Sequence, residues 1–207
     1  MFVTKITCRP VSRIRISKNG RGFTLTELAI VLGVMGIILG AIWAAAAAVY
    51  ANNRLKTAVT EIAYVVEGYR SLYSARGVDT ADWTDVTCNG VTDGFFPSSM
   101  LLPGVTCTAN NAATYPQHPW GSYVAVASMQ SWGGAINISL WNLTPSACAQ
   151  YASQLASVPD IVWEDINGTA IAFPPVGNNT PWTTVQISGL CNASASANYI
   201  YTAFKAR

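Results

Sequence analysis

The chain has 207 residues and a formal net charge of +2, and 51% of its residues are hydrophobic while only 11% are charged. Six of the twelve basic residues lie in the first 22 residues, which contain no acid, so the remainder carries all ten acids and a net charge of −4. This length fits one membrane segment and one modest domain. A basic surface suited to nucleic acid is excluded beyond the leader.

An apolar run of 24 residues without a charge, residues 28–51, follows the basic leader. As a helix this run would be about 36 Å long, which is enough to cross the hydrocarbon core of a bilayer. The basic residues before the run outnumber those just after it, namely Arg54 and Lys56. This asymmetry predicts an N-terminus in the cytoplasm and a segment inserted in the inner membrane.

Three interpretations fit the apolar run. The first is an ordinary secretory signal peptide with its apolar core at residues 28–43 and its cleavage site within residues 44–48. The second is a plain N-terminal membrane anchor. The third is a segment that is cut before the run. The third accounts for Glu27, a carboxylate at the near end of the run, where a charge is costly in lipid unless a partner compensates it.

The sequence RGFTLTELAIVLGVMGIIL at residues 21–39 resembles the processing and assembly segment of type IV pilins and pseudopilins. The resemblance implies cleavage after Gly22 by a prepilin peptidase, which then N-methylates the new first residue, Phe23. It also implies that Glu27 of one subunit neutralises the N-terminal amine of an identical neighbour. A paired charge of this kind is tolerated in an apolar environment, whereas a lone charge is not.

Apolar residues recur every three or four positions from Leu55 to Tyr73, which predicts that a helix starting near residue 24 continues to residue 76 and stops at Gly77. The resemblance implies an α+β pilin fold, in which the long helix, half of it transmembrane, packs on an antiparallel sheet domain with short helices. The implied segments are a cleaved leader at 1–22, an assembly half of the helix at 23–51, an amphipathic half at 52–77 and a globular domain at 78–207.

The globular segment alternates apolar and polar residues in short stretches. Its strongest turn signal is Asn167-Gly168, which predicts a hairpin, and Thr144-Pro145 predicts a helix start. The predicted strands are 123–129, 135–141, 161–166, 169–173 and 198–204. The predicted helices are 145–156 and 181–190. Together they predict an antiparallel sheet whose inner face the long helix covers.

Five cysteines are present, and Cys8 lies in the leader. Removal of the leader leaves four, a parity that fits two disulfides in an oxidising compartment. Four cysteines allow three pairings, and we favour Cys88–Cys107 and Cys148–Cys191 because each bond then closes its own loop. Free buried thiols are the alternative, and no CxxC pair supports a zinc site.

No residue set supports catalysis or a cofactor, because His118 is the only histidine and no triad, paired carboxylates or phosphate-binding loop is evident. The acidic residues around Trp83, namely Asp79, Asp82 and Asp85, match no calcium-loop spacing and favour a solvated loop. The tryptophans beyond the membrane segment are candidates for the core or for subunit contacts. The alternative is an exposed aromatic cluster that binds a glycan or a surface.

The 22-residue leader, the two expected disulfides and the absence of proline between Pro10 and Pro97 resemble the type IVb pilins, whereas Phe23 resembles type IVa pilins and pseudopilins. The resemblance implies an extracellular pilus built from identical subunits, with a host-surface receptor and roles in adhesion, aggregation or conjugation. One alternative is a minor pilin or a type II secretion pseudopilin. Another is a secreted surface- or carbohydrate-binding domain that ordinary signal peptidase releases.

Overall fold

The computed structural model describes residues 24–73, 83–129, 134–155, 158, 160–173, 177, 179–191 and 197–205. The leader, with the predicted processing residues Gly22 and Phe23, lies outside the described residues, as do Asp79, Asp82 and Trp132. The chain divides into two units, Met1–Ala47 and Ala48–Arg207, which are described separately.

In the first unit the described residues form the beginning of helix α1, Leu25–Tyr73. Every described residue of this unit is exposed, including Leu25 at 86%, Ile37 at 76% and Trp43 at 75%. Within the part of the chain that the structure describes, α1 is the one helix that is long and apolar enough to cross a membrane. Its apolar side chains therefore have no protein neighbours in this unit.

In the second unit α1 buries one stripe of side chains. The buried apolar positions are Ala58, Ile62, Val65, Val66 and Tyr69. Their spacing of three and four residues is that of one helical face, so the predicted amphipathic continuation of the helix is confirmed. The described part of α1 ends at Tyr73, and the predicted stop at Gly77 lies outside the described residues.

The second unit also contains a six-stranded sheet in which every pair of neighbouring strands is antiparallel. The strands are β1 (Thr84–Asp85), β2 (Val124–Met129), β3 (Ala135–Leu143), β4 (Ile161–Ile166), β5 (Thr169–Ala172) and β6 (Asn198–Phe204). Their order across the sheet is β1-β2-β3-β6-β4-β5. The predicted α+β fold class is confirmed, and the short β1 is an addition to the predicted strands.

The C-terminal strand β6 joins the two halves of the sheet. It pairs with β3 on one side and with β4 on the other, so Phe204 lies opposite Ile136 and also opposite Ile161. Ile200, Thr202 and Phe204 point to the buried inner face, and the side chains between them point to the outer face. The hairpins β2-β3 and β4-β5 become one sheet only when this last strand is in place.

Three short helices accompany the sheet, namely α2 (Thr87–Asp93), α3 (Pro145–Leu155) and α4 (Thr184–Leu190). Helix α3 was predicted. Helix α2 was not, because TCNGVTD has no apolar periodicity. The predicted start of α4 at Pro181 is wrong, since Thr183 caps the helix by accepting a hydrogen bond from the backbone N–H of Gln186, whose side chain accepts from Thr183 in return.

The main core contains side chains from the inner face of the sheet and from helices α1, α3 and α4. The long helix is therefore joined by α3 and α4 in covering this face. Gly68 of α1 permits a close approach, because a Cβ there would lie 3.0 Å from the Cα of Phe95. The Phe95 ring stacks on Phe96 at 5.0 Å and meets Tyr69 edge to face at 6.2 Å. This aromatic cluster fixes α1 to the loop after α2.

The two disulfides lie in the second unit with the expected pairing, Cys88–Cys107 and Cys148–Cys191. The second bond joins α3 to the residue that ends α4, and both of its cysteines are buried. The sequence separations are 19 and 43 residues. The longer loop leaves more entropy for the crosslink to remove from the unfolded chain.

We expect the double variant Cys148→Ser/Cys191→Ser to lose about 4 kcal/mol of unfolding free energy, and Cys88→Ser/Cys107→Ser to lose about 3 kcal/mol. Urea unfolding of the full chain in detergent, followed by near-ultraviolet circular dichroism, measures both values. The single variant Cys8→Ser, in the leader, serves as the control for loss of a thiol. An unchanged midpoint in the double variants would contradict a stabilising role for these bonds.

Candidate assembly site

Glu27 lies in the first turn of α1 and takes part in the cap of this helix. Its Oε2 accepts hydrogen bonds from the backbone N–H and from the hydroxyl of Thr24, both at 2.9 Å. The backbone N–H of Glu27 donates to Thr24 Oγ1 at 3.3 Å. These reciprocal bonds form a capping box, which satisfies backbone donors that have no partner within the helix.

The capping box is a feature that the sequence argument missed, although Thr24-Leu25-Thr26-Glu27 has its S/T-x-x-E signature. The sequence alone indicated Glu27 only as a pairing group. The structure adds that it fixes the first residue of α1. The predicted processing point between Gly22 and Phe23, outside the described residues, thus lies two residues before Leu25, where α1 begins.

The surface of α1 beside Glu27 is continuously apolar. Its exposed large side chains are Leu25, Leu28, Ile30, Val31, Leu32, Val34, Met35, Ile37, Ile38, Leu39, Ile42 and Trp43. No charged residue occurs between Glu27 and Arg54. An apolar surface of this extent marks a site of contact with lipid or with other protein surfaces. The carboxylate of Glu27 lies at the N-terminal end of this uncharged surface.

His118 is a structural residue of the second unit. It is 3% exposed, its Nε2–H donates to the backbone oxygen of Trp141 at 2.9 Å, and its Nδ1 accepts from the backbone N–H of Trp120 at 3.2 Å. Burial lowers the pKa of this imidazole, although the bond to Trp141 opposes the shift. A neutral imidazole that joins a turn to β3 leaves no ring nitrogen for catalysis.

Asp85 lies on β1 and is half-buried, so its prediction as part of a solvated loop is wrong. Its carboxylate accepts hydrogen bonds from the hydroxyl of Tyr115 and from the backbone N–H of Thr87. Burial alone would raise the pKa of Asp85, but these bonds lower it overall. Among the described residues no group of three or more His, Cys, Asp or Glu side chains could hold a metal ion.

Glu164 is a buried carboxyl that sequence reasoning missed. It is 1% exposed and lies opposite Thr202 across β4 and β6. Burial raises the pKa of Glu164 to about 8. Within the described residues, Glu164 Oε1, Tyr151 OH and Thr202 Oγ1 have no hydrogen-bond partner. The sequence did indicate this burial, because Glu164 lies two residues before the buried Ile166 and therefore on the same face of the strand.

The family model of the prokaryotic N-terminal methylation motif matches residues 17–43 of the chain. No curated protein matches the chain. Among solved structures, the crystal structure of a type IVb pilin from Salmonella typhi aligns with a TM-score of 0.46 and 19% sequence identity, covering 70% of this chain and 97% of that one.

The matched segment contains the predicted processing and pairing residues, Gly22, Phe23 and Glu27. The predicted resemblance to prokaryotic prepilins is therefore confirmed over this N-terminal segment.

Proposed function

We propose that this type IV pilin-like chain is the structural subunit of a pilus, made as a precursor, cleaved after Gly22, N-methylated at Phe23 and polymerised through its N-terminal helix. The observation that carries the proposal is the methylation motif at residues 17–43, which continues into the exposed and uncharged part of α1. A motif that directs cleavage before an apolar helix leaves that helix on the mature protein, where it remains available for assembly.

The proposed assembly contact joins the amine of Phe23 in one subunit to Glu27 of its neighbour. In the bilayer or the filament core an unpaired carboxylate is destabilising, and a neighbouring cation removes much of this cost. The pair then selects the axial offset between neighbouring helices. The proposed segments are the leader at 1–22, the assembly half at 23–51, the amphipathic half at 52–77 and the globular domain at 78–207.

The precursor is proposed to lie in the bacterial inner membrane with its N-terminus in the cytoplasm, where the prepilin peptidase and methylase acts, and the product is an extracellular pilus. The basic leader before the apolar run supports this orientation. Two disulfides in the second unit support an oxidising compartment for the globular domain. Adhesion to a host-surface receptor, aggregation and conjugation are the roles that we propose for the filament.

Mass spectrometry of the exported protein is expected to find Phe23 as its first residue, carrying one added methyl group. Gly22→Val is expected to retain the leader, because it places a branched side chain at the bond where the peptidase normally meets a glycine. The control Gly20→Val, two residues upstream, is expected to be cleaved normally. A mature protein that begins near Ala47 would contradict the proposal, since ordinary signal peptidase would then have removed the assembly helix.

A further inference from the structure

The outer face of the sheet, which is turned away from the main core, carries a continuous set of aromatic rings that we call the aromatic rim. Its members are Trp83, Tyr115, Tyr123, Trp141, Trp163, Tyr199 and Tyr201. Trp83 is 53% exposed, and all of the others except the buried Tyr115 are partly exposed. Aromatic side chains on this scale are not needed for the main core, which lies on the opposite face.

The rings of the rim contact one another across the sheet, from residues on β3, β4 and β6 and from Trp83 and Tyr123, which directly precede β1 and β2. Tyr123 stacks on Trp141 at 5.7 Å, and Trp141 meets Tyr201 edge to face at 5.4 Å. Tyr201 stacks on Trp163 at 6.4 Å, and Trp163 meets Trp83 edge to face at 5.8 Å. Tyr199 adds contacts to Trp141 at 5.0 Å and Tyr201 at 4.9 Å. Such mutual packing restricts the rotamers of all the rings, so the rim is ordered before a ligand arrives.

The strands between these rings carry small side chains, which form a floor. Its members are Ala125, Ala127, Asn137, Ser139 and Ala203. Asn137 lies opposite Ala127 on one side and Ala203 on the other, and Ser139 lies between Ala125 and Tyr201. The Ser139 hydroxyl donates to Asn137 Oδ1 at 2.9 Å. Asn137 and Ala203 are fully buried and Ser139 is 7% exposed, so the partly exposed members of the floor are Ala125 and Ala127.

The charges beside the rim have one sign. Asp85 lies opposite Ala127, and Asp165 lies opposite Tyr201. Desolvation by burial is the largest influence on Tyr201 and, with the nearby Tyr199 and Asp165, raises its pKa to about 12. The basic residues that the structure describes are Arg54, Lys56, Arg70 and Lys205, and none lies on a strand. This face therefore suits a ligand that donates hydrogen bonds and carries no negative charge.

We propose that the aromatic rim and its floor are a binding site for a neutral polysaccharide. Pyranose rings present apolar C–H faces that pack on aromatic side chains, and their hydroxyls donate to carboxylates such as Asp165. Sugar binding at this site requires neither leader cleavage nor polymerisation, so this proposal can be tested separately from the proposed pilus function.

A contact with a second copy of the chain fits this face less well than a sugar does. Subunit interfaces have few charged residues at their centres, whereas Asp85 and Asp165 lie on this face. From residue 83 onward, the exposed large aliphatic side chains among the described residues are Val105 and Val185, and neither lies on a strand. Tyrosine, tryptophan and small polar residues without exposed aliphatic neighbours are instead suited to a ligand with both C–H faces and hydroxyls.

The test measures binding of cellohexaose, a neutral β-linked oligosaccharide, to the full chain in detergent by calorimetry and tryptophan fluorescence. We expect a Kd below about 1 mM, and binding about tenfold weaker for Trp141→Ala, which removes a central ring. Ala127→Gln places a longer side chain on the floor without removing a ring, and we expect a similar loss. Polygalacturonate oligomers of the same length carry negative charge and are expected to bind more weakly than cellohexaose.

The matched control is Tyr64→Ala, since Tyr64 is an aromatic residue that is 54% exposed on α1, outside the rim. We expect this variant to bind like the wild type, and circular dichroism shows whether each variant is folded. Absence of binding by the wild type would overturn the proposal, as would equal binding by folded Trp141→Ala and Ala127→Gln. Loss of filaments without any loss of sugar binding in these variants would assign the face to a subunit contact.

Discussion

Replacing Glu27 by glutamine is expected to reduce the yield of filaments by about tenfold or more, while export and leader cleavage remain at the wild-type level. Glutamine serves at this position of a capping box as well as glutamate does, so α1 keeps its start. The variant loses the negative charge that is proposed to neutralise the amine of the neighbouring subunit, and that amine is then left unpaired in an apolar environment. Quantification of sheared filaments, together with the mass of the cell-associated protein, separates assembly from processing.

The matched variant is Thr24→Ala, which removes the capping hydroxyl and keeps the charge of Glu27. The backbone N–H of residue 24 remains available to Glu27 Oε2. We therefore expect filament yields close to those of the wild type. The opposite result, normal assembly of Glu27→Gln and failure of Thr24→Ala, would mean that Glu27 acts by starting the helix and not by pairing with a neighbour.

A large loss of filaments is expected for Glu27→Gln because the rest of this part of α1 is apolar and uncharged. Apolar contacts between helices are non-directional and scale with area, so sliding one helix along another by a turn changes their energy little. From residue 28 to residue 53 no side chain carries a charge. Glu27 is therefore the group on this part of the surface that is proposed to make one axial offset better than the others.

The parts of the fold that the sequence predicted best are those with local causes. The amphipathic half of α1 follows from a period of 3.6 residues, and the β4-β5 hairpin follows from Asn167-Gly168, where both residues have positive φ. The cap at Thr183 overrode the helix start expected at Pro181. Helix α2 depends on a tertiary contact, since it packs so closely on Phe95 that a Cβ at Gly90 would overlap the ring. No local sequence pattern predicts this helix.

The candidate sites divide in the same way. Glu27 was predicted because the processing segment is contiguous in sequence, and its capping box was readable from Thr24. The aromatic rim was not predictable, because it depends on the insertion of β6 between β3 and β4. That insertion brings Tyr201 between Trp141 and Trp163, and strand order across a sheet is a non-local property that alternation alone does not determine.

The second large effect is expected from Glu164→Gln, which should make the protein more stable than the wild type at pH 8 and leave it nearly unchanged at pH 4. The carboxyl has a pKa of about 8 in the folded state against an ordinary value of 4.5. Its Oε1 has no partner in the described part of the chain. Glutamine keeps the size of the side chain and cannot ionise.

The sign follows from the protons bound in each state. Above pH 4.5 the unfolded chain releases the proton of Glu164 while the folded chain retains it, so folding becomes less favourable as the pH rises. The loss continues until the folded group ionises near pH 8. At about 1.4 kcal/mol per pH unit, the wild type loses on the order of 5 kcal/mol over this range, and Glu164→Gln does not.

Urea unfolding at pH 4, 6 and 8 measures this difference as a divergence of the two midpoints with rising pH. The control is Glu67→Gln, because the Glu67 side chain is 72% exposed and its ion pair with Arg70 lies at the surface, where such pairs contribute at most about 1 kcal/mol. Parallel midpoint curves for the wild type and Glu164→Gln would refute a buried neutral carboxyl. Divergence would mean that Glu164 destabilises the folded domain as the pH rises, because β4 carries a carboxyl on the inner face where its alternation requires an apolar residue.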